Sequence, residues 1–454
     1  MALVSINPAT GRRMRAYREH TSAEIFTALS RADAVFNDWR ELSFAERTRH
    51  LRALAKALRA QRDKLASLMT AEMGKPITQA RAEIDKCALA CEHFARYAAA
   101  LLADEHPPGA PKKSRVTFAP LGVVLAIMPW NFPFWQLFRA AAPALMAGNV
   151  LLLKHSSNVC GCAAAIEKVF AAAGLPRHVL QTLLISLEKI PALIADPRVH
   201  GVTLTGSTEA GQRVAALAGG AMKKSVFELG GSDAYVVLAD ADLDHAAKIC
   251  AEARLINNGQ SCIAAKRFIV TKPVRVAFEK KFTACMAAQR MGDPMDETTQ
   301  VGPLAREDLR AALHKQVLQS VRRGARLLLG GKLPGGAGFF YPPTVLTDIA
   351  KGMPAYDKEL FGPVAAIIPV RDDAEALAVA NDSDYGLGAA VFTRSRNRAA
   401  VFARGLEAGV IFINDFVRSD PSLPFGGVKQ SGFGRELGPA GIREFANIKT
   451  VVGM

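Results

Sequence analysis

The amino-acid sequence predicts an α/β fold in which helices cover largely parallel sheets. Short apolar segments of strand length alternate with amphipathic segments of helix length from residue 116 onward, and this alternation is typical of doubly wound parallel sheets. The chain has 454 residues, of which 50% are hydrophobic. It is therefore long enough for two or three domains with sizeable cores.

The first hundred residues carry mainly helical signals. The segments Thr21–Glu24 and Ser43–Glu46 each predict a capping box, in which a hydroxyl and a glutamate satisfy the first N–H groups of a helix. The second of these helices is expected to continue to Gly74, and a third amphipathic helix covers 78–101. Prolines and a glycine in 104–113 then indicate a crossing between structural units.

The rest of the chain predicts strands separated by helices. The expected strands cover residues 116–127, 150–154, 199–205, 235–238, 266–271, 364–370, 389–393 and 409–414. Helices are expected after several of them, including 273–290, 372–381 and 395–407. Two α/β domains are favoured over one very large sheet, because open sheets rarely exceed about ten strands.

The charge balance raises the question of an anionic partner. Lys and Arg number 57 and Asp and Glu 42, which gives a formal net charge of +15, and such an excess can attract polyanions. The basic residues are dispersed, without a run of five like charges, so we expect no nucleic-acid partner. No stretch of 18 apolar residues is present, so no membrane partner is expected. Seven cysteines without zinc-site spacing predict no metal and a reducing, cytoplasmic location.

Three residues are candidates for catalysis. Cys262 follows a polar, glycine-containing segment and is a possible nucleophile, although a lone cysteine is more often a buried apolar residue. Glu228 precedes two glycines and is either a general base or a solvated loop carboxylate. Asn131, between two prolines, either donates to an oxyanion or caps its own turn.

Two glycine-rich segments differ in what they predict. Gly206–Gly211 lies where a strand meets a helix, a position that favours phosphate binding. It matches neither the GxGxxG fingerprint nor a P-loop, so an ordinary helix N-cap is the alternative. Gly330–Gly336 has no helix behind it and is expected to be a surface loop.

Taken together, the motifs resemble the aldehyde dehydrogenase superfamily over nearly the whole chain, and within it the short bacterial succinate-semialdehyde dehydrogenases. The matching segments, in the family's order, are 129–133, Lys154 at a strand end, 205–208, 228–231, 259–262, 359–363 and 424–427.

The resemblance implies a fold with three parts. These are a Rossmann-variant cofactor domain (1–111 and 129–227), an α/β catalytic domain (228–427) and a small β oligomerisation element (112–128 and 428–454). It also implies a homodimer or homotetramer, because the projecting strand would pair with a neighbouring subunit.

The resemblance also implies roles in catalysis. Cys262 would attack the aldehyde to form a thiohemiacetal, and Asn131 with the Cys262 N–H would hold the oxyanion. Hydride transfer to a nicotinamide would leave a thioester, and Glu228 would activate the water that hydrolyses it. The intact set argues against a non-catalytic paralogue, and Glu228 argues against transfer to coenzyme A.

The cofactor is expected to be NADP, with NAD possible. Lys154 resembles the lysine that reaches the adenosine ribose, and Ser157 stands where NAD-preferring relatives commonly place a glutamate. A serine beside a lysine can bind a 2′-phosphate that a glutamate would repel; the alternative is that Ser157 tolerates both cofactors. The complete expected cofactor set is Trp130, Lys154, Ser157, Gly206, Ser207, Leu229, Glu359 and Phe361.

The expected substrate is a small aldehyde with a remote carboxylate, foremost succinate semialdehyde. Arg139 is expected to face the substrate tunnel and pair with that carboxylate, and a structural ion pair is the alternative. Arg418 and Ser419 are candidates to complete the site. Ile256 replaces a second arginine of some relatives, and Ala264 replaces a second cysteine, so no redox switch is expected there. Glutarate semialdehyde or general aliphatic aldehydes are the alternative substrates.

Overall fold

A computed structural model describes residues 3–453 and shows two large, mostly parallel sheets and three two-stranded ribbons within that range. The strands are β1 Leu3–Asn7, β2 Arg12–Tyr17, β3 Ser114–Pro120, β4 Val123–Met128, β5 Val150–His155, β6 Leu180–Thr182, β7 Val199–Thr205, β8 Lys224–Glu228, β9 Ala234–Val237, β10 Arg267–Thr271, β11 Arg326–Leu329, β12 Thr344–Thr347, β13 Val364–Val370, β14 Tyr385–Gly386, β15 Gly388–Phe392, β16 Val410–Ile413, β17 Val428–Lys429, β18 Gly432–Phe433 and β19 Ala446–Val452. The α/β fold class is therefore confirmed.

Helices cover both sheets. They are α1 Ser22–Glu41, α2 Phe44–Ala60, α3 Arg62–Met73, α4 Ile77–Leu101, α5 Trp135–Met146, α6 Cys160–Ala172, α7 Ile190–Ala195, α8 Thr208–Gly220, α9 Leu243–Leu255, α10 Arg275–Ala287, α11 Glu307–Arg322, α12 Pro354–Asp357, α13 Asp373–Asn381, α14 Arg396–Gly405 and α15 Gly438–Arg443. Both predicted capping boxes are present, at the starts of α1 and α2.

The six-stranded sheet has the order β18-β8-β7-β4-β5-β6, and its strands are parallel except at the β18–β8 pair. Every residue of β4 and β5 is buried, as continuous apolar runs in a covered parallel sheet require. The carboxyl ends of parallel strands lie along one edge of a sheet. This edge brings together Asn131 just beyond β4, Lys154 in β5, Thr205 in β7 and Glu228 in β8.

The seven-stranded sheet has the order β11-β12-β13-β10-β9-β15-β16 and is parallel except at the β11–β12 pair. A hydrophobic core lies on each of its faces. The segment that follows α9 and precedes β10 contains Cys262. Gln260 of this segment accepts a hydrogen bond from Asn131, which follows β4 of the first sheet.

The structure differs from the predicted elements near both sheets. The hairpin β1–β2 was not expected, and the helix expected to continue to Gly74 is interrupted at Gln61, between α2 and α3. The strand predicted over 116–127 is two strands, β3 and β4, separated at Gly122, whose φ is +140°. Only glycine fits at this turn, because a side chain at Gly122 would overlap the ring of His200.

This break assigns the two strands to different sheets. β4 lies inside the six-stranded sheet, whereas β3 pairs antiparallel with β19 in a separate ribbon. The ribbon consists of Ser114–Pro120 and Ala446–Val452, and the oligomerisation element expected over 112–128 and 428–454 stays a prediction. Division of the chain into separate domains stays a prediction.

Over residues 3–453, no helix is long and apolar enough to cross a membrane. The same residues contain no group of three or more His, Cys, Asp or Glu side chains arranged to hold a metal ion. The segment Gly330–Gly336 follows β11 and lies outside helices and strands, which confirms the predicted loop.

Candidate active site

The loop that carries Cys262 begins with an unusual backbone turn. Asn257, Asn258 and Gly259 have φ values of +53°, +59° and +74°, so three successive residues are left-handed. Such a conformation costs energy in residues other than glycine and persists where the surroundings hold it, often at functional sites. A side chain at Gly259 would overlap the backbone carbonyl of Gly362, so only glycine fits the third position.

Buried polar side chains hold this loop from several directions. Asn258 donates to the backbone oxygens of Gly74 and Pro303, both at 2.9 Å. Arg254 Nη2 donates to the Gly259 oxygen at 2.7 Å. These hydrogen bonds supply the constraint that the strained turn needs.

Lys266 closes the other end of the same loop. Its fully buried ammonium donates to the backbone oxygens of Ser261 at 2.9 Å and of Cys262 at 2.7 Å. It also forms an ion pair with Glu359 at 3.3 Å. Sequence reasoning missed this lysine. A lysine directly before an apolar strand, as in KRFIV, is common, and the sequence does not show that this one binds a loop.

The Cys262 thiol is buried, with 9% of the residue exposed. Its pKa is raised to about 12, and burial is the largest cause; Glu228 and Glu359 act in the same direction, and the cations Arg139 and Lys266 act in the opposite direction. A cation beside a cysteine ordinarily favours the thiolate. Both cations are present, but desolvation outweighs them in this state, and the residue is a thiol at neutral pH.

Asn131 lies in the turn between β4 and α5 and is 5% exposed. Its amide nitrogen donates to the Gln260 oxygen at 3.1 Å, and its backbone oxygen accepts from Asn257 at 2.7 Å. The two bonds join the turn to the cysteine loop. Asn131 and Cys262 line the same cavity, and donation from the Asn131 amide to an oxyanion stays a prediction.

Two further residues, absent from the sequence-based expectations, hold the Asn131 turn. The Glu83 carboxylate accepts from the N–H groups of Phe134 and Trp135 at 2.9 Å each, where α5 begins. Lys75 pairs with Glu83 and lies 3.7 Å from the centre of the Phe132 ring. Both side chains are buried, so the turn rests on an internal ion pair.

Glu228 lies at the end of β8 and is 1% exposed. Neither carboxylate oxygen has a hydrogen-bond partner among residues 3–453. Burial raises the pKa of Glu228 well above its usual range; Arg139 opposes that shift and Glu436 adds to it. A carboxyl group whose pKa is raised by burial is a stronger base, once it ionises, than an exposed carboxylate.

A cavity of about 250 Å³ brings Cys262 and Asn131 together with most of the expected cofactor residues. Its lining includes Cys262, Asn131, Trp130, Gly206, Ser207, Leu229, Glu359 and Phe361. Glu228 directly precedes Leu229 of this lining. Ser207 caps α8 by accepting from the Ala210 N–H at 3.2 Å. The N–H groups at this helix start form the type of site that binds a pyrophosphate.

Glu359 lines the same cavity. Its Oε1 accepts from the Gly231 N–H at 3.1 Å, and Oε2 would lie 2.8 Å from a Cβ built on Gly230. The glycine therefore leaves room for the carboxylate. The Trp130 and Phe361 rings meet edge to face with centroids 5.7 Å apart, and they form an aromatic wall.

Lys154 and Ser157 lie apart from that cavity, at the end of β5. The Lys154 side chain is largely buried, and its ammonium makes no hydrogen bond or ion pair in the described part of the chain. Burial lowers its pKa. Ser157 is exposed in the short turn that follows. A cation without an anionic partner beside an accessible hydroxyl fits a phosphate group.

Arg139 is not free to solvent. Its guanidinium forms an ion pair with Glu436, donates to Thr205 Oγ1 at 3.3 Å and lies 4.8 Å from the Phe425 ring centre. Both members of the ion pair are buried. The structure thus shows the ion pair that was the alternative to substrate binding, and a direct contact between Arg139 and substrate stays a prediction.

Arg418 and Ser419 point to different surroundings. Arg418 is half-exposed, pairs with Asp415 at 2.7 Å and packs on the rings of Phe412 and Phe416. Ser419 is buried and accepts a hydrogen bond from Lys86 at 2.9 Å. The two neighbouring residues therefore lie in different surroundings, Arg418 at the surface and Ser419 in the interior.

The comparisons with known proteins agree with this geometry. The family model described as the aldehyde dehydrogenase family matches residues 2–451. The chain is 50% identical to a protein of Synechocystis named a probable succinate-semialdehyde dehydrogenase (NADP+), over 99% of each chain. It is 48% identical to a succinate semialdehyde dehydrogenase (NAD(P)+) of Escherichia coli, over 99% of this chain and 97% of the other.

A solved structure of a related protein has the same fold. The succinic semialdehyde dehydrogenase of Streptococcus pyogenes, crystallised in complex with NADP+, superposes with a TM-score of 0.97 at 37% identity and covers 99% of each chain. The resemblance drawn from the motifs is confirmed, and the chain belongs to the aldehyde dehydrogenase family.

Proposed function

We propose that the protein oxidises succinate semialdehyde to succinate with NADP+ as the preferred acceptor. The observation that carries this proposal is the meeting of a buried cysteine and an amide donor in one cavity. Leu229 of the cavity lining directly follows Glu228, a buried glutamate without a hydrogen-bond partner. Similarity at about 50% identity to enzymes named for this substrate supports the choice of aldehyde.

The first half-reaction forms a covalent bond at Cys262. The thiol loses its proton to solvent, and sulfur bonds to the aldehyde carbon. The aldehyde oxygen becomes an oxyanion, which Asn131 Nδ2 and the Cys262 N–H stabilise after Asn131 releases the Gln260 oxygen. NADP+ bound in the cavity would supply the acceptor for the hydride that leaves this carbon, and the carbon–oxygen double bond would then re-form to give a thioester on Cys262.

The second half-reaction is hydrolysis, for which Glu228 is the base. Its ionised carboxylate takes a proton from water while the water oxygen bonds to the thioester carbon. The carbon–sulfur bond then breaks, succinate leaves, and sulfur recovers a proton. Burial without hydrogen-bond partners suits Glu228 to this task, since it raises the basicity of the carboxylate.

Several side chains fit NADP+. Lys154 and Ser157 would hold the 2′-phosphate, since one is an unpartnered cation and the other an accessible hydroxyl. Ser207 and Gly206, at the start of α8, would face the pyrophosphate. Glu359 would bind the nicotinamide ribose, with Phe361, Trp130 and Leu229 packed nearby.

Two aldehyde classes remain as competitors. Glutarate semialdehyde is one carbon longer and keeps the carboxylate, and aliphatic aldehydes lack it. Steady-state specificity constants for succinate semialdehyde, glutarate semialdehyde and butanal, each with NADP+ and NAD+, test the proposal. It predicts the highest value for succinate semialdehyde with NADP+; a higher value for butanal would contradict it.

We also infer that the protein works as a homodimer or homotetramer in the cytoplasm. The ribbon β3–β19 exposes Ile448 and Val452, which are 58% and 62% accessible in a single chain. Exposed apolar residues on a strand favour pairing with another chain. All seven cysteines are free thiols, as is usual in a reducing compartment.

A further inference from the structure

Lys266 makes all of its hydrogen bonds to the loop that carries Cys262. Its ammonium donates to the backbone oxygens of Ser261 at 2.9 Å, Cys262 at 2.7 Å and Ala264 at 3.2 Å. An ammonium group has three N–H donors, so these three oxygens can take up every one of them. The side chain is fully buried, and its hydrogen-bonding capacity therefore belongs to this loop.

These bonds connect Lys266 directly to the cavity, although the lysine does not line it. Cys262 and Glu359 both belong to the cavity lining, and the Lys266 ammonium contacts each of them, Cys262 through its backbone oxygen and Glu359 through an ion pair at 3.3 Å. Because the ammonium is buried, it lies on the side of the loop that faces the protein interior. Lys266 therefore acts on the reacting groups through the backbone that it holds.

Glu359 balances the charge of the buried ammonium. A buried cation is costly unless it is paired and hydrogen-bonded. Burial lowers the pKa of Lys266, and Glu359 and Asp233 act in the opposite direction. The same Glu359 oxygen that pairs with Lys266 also accepts from the Gly231 N–H at 3.1 Å. The carboxylate is thus held on both sides, and it keeps the ammonium beside the loop.

The position of the Ser261 oxygen determines the direction of the Cys262 N–H, because the two groups belong to one peptide unit. A trans peptide is planar, with its C=O and N–H on opposite sides. The Ser261 oxygen faces Lys266 and also accepts from the Ala264 N–H at 3.2 Å. The Cys262 N–H therefore points away from the ammonium, and the peptide cannot rotate without losing two hydrogen bonds.

The Cys262 N–H is free to bind a ligand. In the part of the chain that the structure describes, it donates to no backbone or side-chain acceptor. Buried N–H groups are nearly always paired, so an unpaired one beside a cavity indicates a bond that a ligand completes. A cation at the oxygen of the same peptide also polarises the unit and strengthens the N–H as a donor.

We propose that Lys266 is a positioning residue for the reaction, which aims the Cys262 N–H at the aldehyde oxygen and strengthens it as a donor to the oxyanion. Lys266 itself touches neither substrate nor cofactor, and Asn131 supplies the second donor. The inference rests on the proposed function, because it concerns the oxyanion that forms when Cys262 attacks an aldehyde.

The test compares two reactions of Cys262, of which only one forms an oxyanion. Attack on an aldehyde creates an oxyanion, whereas alkylation by iodoacetamide displaces iodide and creates none. Lys266→Met should slow NADPH formation in the first turnover about 30-fold or more, without a matching rise in KM, because a misaligned donor stabilises the oxyanion poorly. Alkylation should slow at least about tenfold less, since it loses only a cation that favours the thiolate.

Lys223→Met is the matched control. Lys223 also donates to two backbone oxygens, those of Asp196 at 3.1 Å and Val199 at 2.6 Å. Val199 begins β7, at the sheet edge opposite to the active site, so Lys223→Met should leave both rates unchanged. Lys266→Arg keeps the charge and the donors and should restore part of the rate of NADPH formation.

Circular dichroism establishes that each variant is folded. Lys266→Gln keeps a polar group in the buried position and provides the same comparison if Lys266→Met does not fold. Equal slowing of NADPH formation and alkylation would overturn the proposal, because it would place the whole effect on the thiol. Unchanged rates of both reactions would overturn it as well.

The choice of aldehyde separates this inference from the proposed function. Succinate semialdehyde and butanal form the same oxyanion, so Lys266→Met should slow NADPH formation by the same factor with both. A wild-type protein that prefers butanal would contradict the proposed substrate and leave the comparison of variants intact. A loss confined to succinate semialdehyde would contradict the role of Lys266, because it would indicate a contact with the carboxylate end of the substrate.

Discussion

At the residue scale, burial lowers the acidity of both candidate catalytic groups. Cys262 and Glu228 are both buried, and burial raises the pKa of each above its ordinary value. The cations Arg139 and Lys266 reduce the effect on the thiol without cancelling it. The reactive thiolate is therefore the minor form of Cys262 at neutral pH in this state of the protein.

The protonation state of Cys262 predicts a pH dependence. Because the pKa is raised to about 12, the thiolate fraction in the ligand-free protein should grow about tenfold for each pH unit through the neutral range. Alkylation of Cys262 by iodoacetamide, followed by mass spectrometry of the modified peptide, should accelerate in the same proportion. A rate that is already constant at neutral pH would show that the thiol ionises there.

Ser157 predicts the choice between cofactors. Ser157→Glu should lower kcat/KM for NADP+ at least about tenfold more than for NAD+, because a carboxylate repels the 2′-phosphate and can accept from a ribose hydroxyl. Ser157→Ala is the matched control, since it removes the hydroxyl without adding charge. Equal losses of kcat/KM with both cofactors in Ser157→Glu would show that the 2′-phosphate does not bind at this position.

At the element scale, the short turn before Cys262 is the part of the site that the sequence could not predict. Glycine is the residue expected in a left-handed conformation, yet Asn257 and Asn258 adopt it as well. Their amides are bonded to residues far apart in the chain, such as Asn131 and Gly74. Tertiary contacts of this kind decide the local backbone, and they leave no local pattern to recognise.

Gly259 gives this turn a measurable stability effect. Gly259→Ala should lower the free energy of unfolding by about 2 kcal/mol or more, because the φ is positive and the new side chain would overlap Gly362. Gly219→Ala, in α8 with open space around it, should leave stability unchanged or raise it by about 0.5–1 kcal/mol. Denaturant unfolding of both variants measures the difference. Equal effects would contradict the packing described for the loop.

Regular elements, by contrast, follow from local chemistry. The capping boxes at Thr21 and Ser43 form as predicted, because their partners lie three residues away. The strands Val199–Thr205 and Val364–Val370 match the predicted bounds, and nearly every residue of each is buried in its sheet. Lys266 could not be found in this way, because its ion-pair partner Glu359 lies far along the chain.

At the scale of the whole molecule, each of the two large sheets supplies part of the candidate active site. The first sheet and its following turns supply Asn131, Lys154 and Glu228, and the loop before β10 of the second sheet supplies Cys262. The net charge of +15 is dispersed, and the cations that matter for the site are single side chains. The described chain contains two large sheets and three two-stranded ribbons, and its division into two or three domains stays a prediction.

The ribbon predicts how subunits associate. Ile448→Glu should convert the proposed oligomer to smaller species in sedimentation velocity, because a carboxylate cannot be buried unpaired in a subunit interface. Val276→Glu is the control: Val276 is 79% exposed on α10, away from the ribbon, and should leave the sedimentation coefficient unchanged. A wild-type protein that sediments as a monomer would contradict the assignment of the ribbon.

The most direct test of the proposed chemistry is to trap its covalent intermediate. Glu228→Gln removes the base for hydrolysis, so turnover should fall about 100-fold or more, whereas one equivalent of NADPH should still form rapidly. Intact-protein and peptide mass spectrometry after mixing with succinate semialdehyde and NADP+ should then find a succinyl group on Cys262. NADPH formation in this variant with Cys262 left unmodified, or with the succinyl group on another residue, would contradict the mechanism.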